Sequence, residues 1–268
     1  MLSIILLAFV QGIAEFLPIS SSFHLIIFRD IFMVGKNIIT PNMGLAFDIA
    51  LHFGTALSVI VFFFKDFLNI FIKGITKNKS KEGKMLWYIV LSTIPASFFG
   101  VLFEDRIDTI FRTNFYLMSF AFIIMGIILY LVDKYSNNNK DLNSMSFKEA
   151  LIIGIYQVFA LIPGFSRSGV SITSARLLGI NREDSSIYSF YLSLPIVLGA
   201  VILSIFKIDL NILKEYALVF TLGVVVSFIT GLLSIRYLLN YVKKNDYKIF
   251  LWYRIIIGIM LLILIKNR

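Results

Sequence analysis

Six stretches of this chain, near 46–64, 86–103, 115–132, 187–206, 216–238 and 249–265, are apolar over a length close to the ~20 residues that cross a bilayer core as a helix. Nothing constrains the chain more, because backbone placed in lipid must satisfy its own N–H and C=O groups. The composition agrees, with 58% hydrophobic residues, 27 Phe, 15% charged residues and a mean hydropathy of +0.87. The expectation is an all-α polytopic membrane protein forming a single integral membrane domain over 1–268. Cys is absent, which removes disulfide and thiol chemistry, and two histidines argue against a His-based metal cage. The net charge of +9 does not call for nucleic acid, since cytoplasmic loops rich in Lys and Arg account for it. No cleavable signal is expected: the apolar N-terminus lacks a basic region and runs straight into Gln11 and Glu15.

Two polar stretches interrupt this pattern. The first is Gln11-Gly12-Ile13-Ala14-Glu15-Phe16-Leu17-Pro18-Ile19-Ser20-Ser21-Ser22-Phe23-His24. The second runs from Gln157 through Pro163-Gly164-Phe165-Ser166-Arg167-Ser168-Gly169-Val170-Ser171. One constant offset sets Gln11 on Gln157 and Ser20-Ser21-Ser22 on Ser166-Arg167-Ser168; only Pro18 and Pro163 slip, by one residue. The apolar pieces on either side (1–17 and 23–34, then 150–163 and 169–180) are too short to span. Short, broken segments at matching places in two halves predict re-entrant helix–loop–helix hairpins meeting near mid-membrane.

The loop charges test that topology. Loop 65–85 carries Lys65, Lys73, Lys77, Lys79, Lys81 and Lys84 and is expected to be cytoplasmic. Counting spans then puts 133–148 and 239–248 inside as well, both with excess Lys. Loops 104–114 and 207–215 fall outside; Glu104, Asp105 and Asp108 outweigh Arg106 and Arg112, while Asp209 and Glu215 match Lys207 and Lys214. The first hairpin then enters from outside and the second from inside. Each half (about 1–132 and 149–265, joined by linker 133–148) is one hairpin plus three spans, and the halves form an inverted-topology repeat.

Helix N-termini attract anions, and Ser20–Ser22 and Ser166–Ser168 each open a half-helix. Arg167 between hydroxyls adds a fork of donors matching phosphate geometry. Gln11, Ser20, Ser22, Ser166, Ser168 and Ser171 are the candidate binding residues around it. The plainer reading is that these serines only cap helix ends. An intramembrane Arg needs an anionic partner, either substrate or Glu15. Glu15 shares a helix face with Gln11 and serves as a general base beside a serine, as a metal ligand, or as the other half of a structural ion pair. His24 follows the serines by one turn, and the plainer reading makes it a satisfied polar residue. His52, in Leu51-His52-Phe53-Gly54-Thr55, reads as a hydrogen bond between helices, with Asp48 one turn earlier.

These motifs resemble the pair that marks the undecaprenyl-pyrophosphate phosphatase family, the bacitracin-resistance proteins. The family's Glu/Gln, three residues, Glu pattern is met by Gln11 and Glu15, followed by Pro18, Ser20, Ser21 and His24; its Pro-Gly-x-Ser-Arg-Ser-Gly element is met by Pro163 to Gly169. The resemblance continues through Leu51–Thr55, Ile94-Pro95-Ala96, Arg182-Glu183 before Ser189-Phe190, Leu194-Pro195 and Tyr253-Arg254-Ile255. Two positions depart from it. Phe23 replaces the usual Gly and is expected to crowd the turn before His24, and Ser171 replaces Thr; Gln11, where Glu also occurs, lies within the family's range.

The resemblance implies a plasma-membrane phosphatase that converts undecaprenyl (C55 polyprenyl) pyrophosphate to undecaprenyl phosphate and inorganic phosphate. The product is the lipid carrier of cell-wall assembly. Within that reading Ser21 is the expected nucleophile, with His24 and water as the alternatives, Glu15 its base acting directly or through water, Arg167 the charge stabiliser and His24 otherwise a proton donor or organiser of water. The topology places the site near mid-membrane, opening to the outside. It also implies dependence on Mg²⁺ or Ca²⁺, with Glu15 the one candidate protein ligand. Membrane lipids and a polyprenyl pyrophosphate are the expected partners; a homodimer is left open. A polyprenyl-phosphate flippase would use the same layout without cleavage. An intramembrane serine protease built on Ser21 and His24 fits the Arg167 cluster less well.

Overall fold

The computed structural model describes residues 1–39, 41–111, 114–205 and 210–267. Among these residues the secondary structure is helical apart from one isolated parallel bridge between Lys140 and Ile180. In chain order the α-helices are α1 (Leu2–Phe16), α2 (Ser21–Ile26), α3 (Pro41–Phe62), α4 (Phe64–Thr76), α5 (Lys81–Phe111) and α6 (Phe115–Tyr135). They continue as α7 (Phe147–Gln157), α8 (Arg167–Leu177), α9 (Arg182–Ile205), α10 (Leu210–Glu215), α11 (Ala217–Val242) and α12 (Lys248–Lys266). Six are long and apolar enough to cross a membrane, namely α3, α5, α6, α9, α11 and α12. They carry the six stretches expected from hydropathy, so the chain is a multi-pass membrane protein with six candidate spans.

The four short segments are helical and interrupted where the polar clusters fall. Helix α1 stops at Phe16, and α2 runs on into a π-helical turn, Ile27–Ile31. Helix α7 passes into a 3₁₀ turn, Val158–Leu161, before α8 begins.

Two loop expectations change. The stretch read as outer loop 104–114 continues α5 to Phe111, because its charged residues end the apolar run without any Gly or Pro to end the helix. Loop 65–85 contains α4, whose Phe64, Leu68, Phe71 and Ile75 are exposed while Ile70 is buried. Arg112, Lys207 and Asp209, counted among the outer charges, lie outside the described residues.

Lipid tails are as apolar as Leu, so membrane helices associate through close packing and hydrogen bonds rather than hydrophobic burial. Helix α1 packs on α11 and α3, α7 packs on α5, α8 lies against α6 and α9, and α12 packs on α6. Two glycines let the interrupted helices approach their supports closely. A methyl group at Gly12 would overlap Thr230 Oγ1 and come within 2.8 Å of the Ser227 carbonyl oxygen on α11; one at Gly154 would come within 2.7 Å of the Ser92 carbonyl oxygen on α5.

Phe23, at the position where the resemblance has Gly, buries its ring against Phe122 of α6 with centroids 3.8 Å apart and meets the His24 ring edge-on with centroids 5.5 Å apart. The segment after α6 is tied down by the fully buried Asp133, which accepts from Arg176 Nε at 2.8 Å and Arg182 Nε at 2.9 Å. Arg176 also donates to the Asn137 carbonyl and Asn138 Oδ1. Ser146 and Glu149 then form a capping box that starts α7. Burial pushes the Glu149 carboxyl up, but hydrogen bonds from Lys140 and Ser146 outweigh it and leave its pKa below the usual range.

Candidate active site

Both interruptions are built the same way. Ser20 caps α2 and Ser166 caps α8, each in the left-handed region (φ 67° and φ 76°), which costs a non-glycine residue about 1–3 kcal/mol. Ser20 Oγ accepts from the Phe23 N–H and Ser166 Oγ from the Gly169 N–H. Ser20 and Ser22 hydroxyls lie 3.3 Å apart; those of Ser166 and Ser168 lie 3.0 Å apart.

The two tips touch. Ser168 Oγ donates to the Leu17 carbonyl at 3.0 Å. Arg254, fully buried on α12, donates Nε to the Pro18 carbonyl at 2.7 Å, Nη1 to those of Phe122 and Gly164, and Nη2 to that of Phe165. Its guanidinium also sits over the Phe122 ring, 4.9 Å from the centroid. One side chain therefore holds carbonyls of both tips, which is how the strained caps are kept in register.

Glu15 is the centre of the chemistry. Its Oε1 accepts from Arg167 Nη2 at 2.8 Å; its Oε2 accepts from Ser21 Oγ at 2.8 Å and from Gln11 Nε2 at 3.0 Å. Arg167 Nη1 donates to the Ser189 carbonyl at 2.8 Å, and Ser171 Oγ donates to the Arg167 carbonyl at 2.8 Å while lying 2.7 Å from Ser189 Oγ. His52 Nδ1 lies 3.0 Å from Gln11 Nε2 and 3.5 Å from Glu15 Oε2.

This cluster closes one end of a cavity of about 230 Å³. Glu15, Ser20, Ser21, Ser22, His52, Ser166 and Arg167 line its polar end; Ile49, Ala160, Ile196, Val197, Ala200 and Val201 line the rest. Hydroxyls, a guanidinium and a carboxylate beside apolar side chains in one cavity suit a phosphate headgroup carrying a hydrocarbon tail. A larger groove, about 620 Å³, lies among α3, α4, α5 and α9, but residues such as Phe64, Phe67, Leu86 and Leu194 give it no polar side chain for a phosphate.

Of the residues singled out from sequence, Ser21, Glu15, Arg167, Ser20, Ser22 and Ser166 face this cavity. Gln11, Ser168 and Ser171 stand behind it, bracing Glu15, the first tip and Arg167 respectively. His24 is not part of its wall. The buried His24 ring holds the Ser20 carbonyl through Nδ1 at 2.8 Å and the Tyr253 hydroxyl through Nε2 at 2.6 Å.

The residues do not fit a protein cage for Mg²⁺ or Ca²⁺. Both Glu15 oxygens are already accepting hydrogen bonds, and no cluster of three His, Cys, Asp or Glu exists among the described residues. The Gln11 Oε1 has no partner, but the amide turns its N–H groups, not that oxygen, toward Glu15 and His52.

Two contributors escaped the sequence reading of the site. In sequence His52 reads as a contact between helices and Arg254 only as part of a motif. Both carry the signal of an ionisable residue inside an apolar span, which marks function by default.

Sequence comparison agrees with the geometry. A family model described as Bacitracin resistance protein BacA matches residues 4–260. The undecaprenyl-diphosphatase of Caldicellulosiruptor bescii is 42% identical over 258 residues, covering 96% of this chain and 95% of that protein. That of Elusimicrobium minutum is 43% identical over 262 residues, covering 97% and 96%. That of Methanosphaera stadtmanae is 39% identical over 279 residues, covering 98% and 97%. With the motif residues gathered at one buried site and the match running nearly end to end, the chain belongs to the bacitracin resistance protein BacA family.

Proposed function

We propose that this protein is an undecaprenyl-diphosphatase: it hydrolyses undecaprenyl pyrophosphate to undecaprenyl phosphate and inorganic phosphate, returns the lipid carrier to cell-wall synthesis and so confers bacitracin resistance. The observation that carries this reading is the Ser21 hydroxyl donating to Glu15 at 2.8 Å, with Arg167 on the carboxylate's other oxygen, at the polar end of an apolar cavity. Full-length relatives that bear the name undecaprenyl-diphosphatase support it.

In this mechanism Ser21 Oγ attacks the terminal phosphorus and its proton passes to Glu15. The bond from that phosphorus to the bridging oxygen breaks, and undecaprenyl phosphate leaves. Water then attacks the phosphoserine phosphorus, the bond from phosphorus to Ser21 Oγ breaks, Glu15 returns its proton to Ser21, and inorganic phosphate departs as dihydrogen phosphate carrying both protons of the water. Arg167 has five N–H donors, of which Glu15 and Ser189 take two, so others remain for the equatorial oxygens. The N–H groups that open α8 add to that stabilisation. Ser20, Ser22 and Ser166 bind phosphate oxygens; Gln11, Ser168 and Ser171 hold the residues that do.

The proposal extends to the architecture: halves of about 1–132 and 149–265, inverted relative to each other and joined by 133–148, with re-entrant tips at mid-membrane and a site opening outward. The matched caps at Ser20 and Ser166, and the swapped packing of α1 on α11 and α7 on α5, support it. Dependence on Mg²⁺ or Ca²⁺ and assembly as a homodimer enter on family grounds alone; chelator-treated protein and its mass in detergent test them.

The central test is release of phosphate from undecaprenyl pyrophosphate by purified protein in detergent. Turnover is expected in the wild type and absent in Ser21→Ala, and acid-quenched wild type exposed to labelled substrate should carry an acid-stable phosphoserine. No release by folded wild type would favour a flippase that uses the same broken helices without cleavage. Wild-type turnover by Ser21→Ala would make water the nucleophile and Ser21 a ligand.

A further inference from the structure

The mechanism above leaves the bridging oxygen without a partner, and the chain offers two histidines for it. Their surroundings separate them. His24 has both nitrogens engaged and stands outside the cavity wall. His52 lines the cavity beside Glu15 and Arg167, its side chain is 34% exposed, and its Nε2 has no hydrogen-bond partner among the described residues. Asp48, one turn earlier on α3, is paired with Arg29 at 2.8 Å.

Gln11 decides where the His52 proton sits. Its Nε2 lies 3.0 Å from Glu15 Oε2 and 3.0 Å from His52 Nδ1. Glu15, ion-paired with Arg167, is a pure acceptor and takes one of the two N–H groups. Turning the amide over would set Gln11 Oε1 against the carboxylate, two acceptors in contact. The second N–H therefore points at His52 Nδ1, which must accept it. A neutral imidazole that accepts at Nδ1 carries its proton on Nε2, the nitrogen left to the cavity.

We propose that His52 is a catalytic residue whose Nε2–H binds the bridging oxygen of the pyrophosphate, that Gln11 fixes the tautomer that makes this donation, and that His24 is a positioning residue acting through the Ser20 carbonyl. The inference rests on the pyrophosphate reading and adds one contact to it. As the bond between the terminal phosphorus and the bridging oxygen breaks, that oxygen receives the electron pair and the hydrogen bond shortens. The proton stays on the imidazole, because a phosphate monoester with a second pKa near 6 leaves as an anion without it. Such a bond grows with the developing charge and so acts on kcat more than on binding.

Protein grown with ¹⁵N-histidine reports on both rings at once, and the His52→Gln variant assigns them. The expected spectrum has His52 protonated on Nε2; adding farnesyl phosphate, a short product analogue bearing the freed oxygen, shifts that signal and leaves His24 in place. Inorganic phosphate, which lacks the prenyl leaving group, should shift it less. Gln11→Glu puts an acceptor beside Nδ1 and should move the proton there. In kinetics, His52→Leu should slow phosphoenzyme formation about 10–100-fold, the range for losing a charge-assisted hydrogen bond, while His52→Gln, which still presents an N–H, recovers most of it. A His52 ring protonated on Nδ1 in the wild type, a farnesyl phosphate shift at His24 alone, or wild-type turnover by folded His52→Leu each overturns the assignment. If His52→Leu does not fold, the wild-type spectrum decides. Failure of the wild type to release phosphate would instead remove the underlying reaction, so the two failures are distinct.

Discussion

Arg167 gives one N–H to Glu15 and another to the Ser189 carbonyl, both at 2.8 Å, while Ser171 Oγ holds the Arg167 carbonyl and lies beside Ser189 Oγ. A lysine at that position has a single ammonium on a flexible stem, which cannot hold the carboxylate, the carbonyl and two phosphate oxygens in one plane. Arg167→Lys should therefore lose at least about 10²-fold in kcat/KM in a phosphate-release assay, while inserting and folding. Arg167→Ala should in addition lower the thermal midpoint, because removing one partner of a buried pair costs about 3–5 kcal/mol. Much of this site was legible residue by residue: Glu15, Ser21 and Arg167 are polar groups at helix breaks, and their spacing alone implied a shared purpose. His52 was less so. Its partner Gln11 is 41 positions away, and only the fold brings the amide to Nδ1. Arg254 was hidden for a similar reason: its four acceptors are main-chain carbonyls, which every residue possesses and no motif records.

The hairpins are where local sequence and local structure agree best. A proline, then hydroxyls, predicted two broken helices, and the breaks fall at Ser20 and Ser166. Less was foreseeable about helix ends in water: charge marks where an apolar run stops, which is not where a helix stops, so the extension of α5 to Phe111 and the existence of α4 went unread. The packing of each hairpin on its support depends on a glycine. Gly154→Ala brings a methyl to 2.7 Å from the Ser92 carbonyl oxygen and 2.8 Å from the Ser92 Cα, both main-chain atoms that yield only if α5 shifts. Overpacking of that kind costs about 1–3 kcal/mol, so the variant should unfold earlier than wild type in a thermal scan in detergent. Gly199→Ala, where nothing lies within 4 Å, is the control and should hold or slightly raise the midpoint through better helix propensity.

At the scale of the whole molecule, hydropathy was sufficient to locate α3, α5, α6, α9, α11 and α12, because a span must be apolar along its full length wherever its neighbours are. Which helix packs on which was not readable, since lipid-facing and helix-facing sides are both apolar. The proposed inversion of the two halves is tested by topology. The natural chain has no Cys, so single cysteines at Lys79, Asp108 and Lys244 can be labelled without background removal. Asp108→Cys should react from outside intact cells, and the other two only after permeabilisation; labelling of Lys79→Cys and Asp108→Cys from the same side would defeat the inversion. The packing of α1 on α11 also sets a timetable for biogenesis. Gly12 is translated near the start and the Ser227 surface it fits near the end, so at about 5–20 residues per second the first hairpin waits roughly 10–40 s for its support. For most of that interval, until Arg167 is made, the ribosome-bound chain holds Gln11, Glu15 and a run of serines in the translocon or the lipid without the cation that the finished fold sets beside Glu15, so the first polar cluster is at its least satisfied while the rest of the protein is still being synthesised.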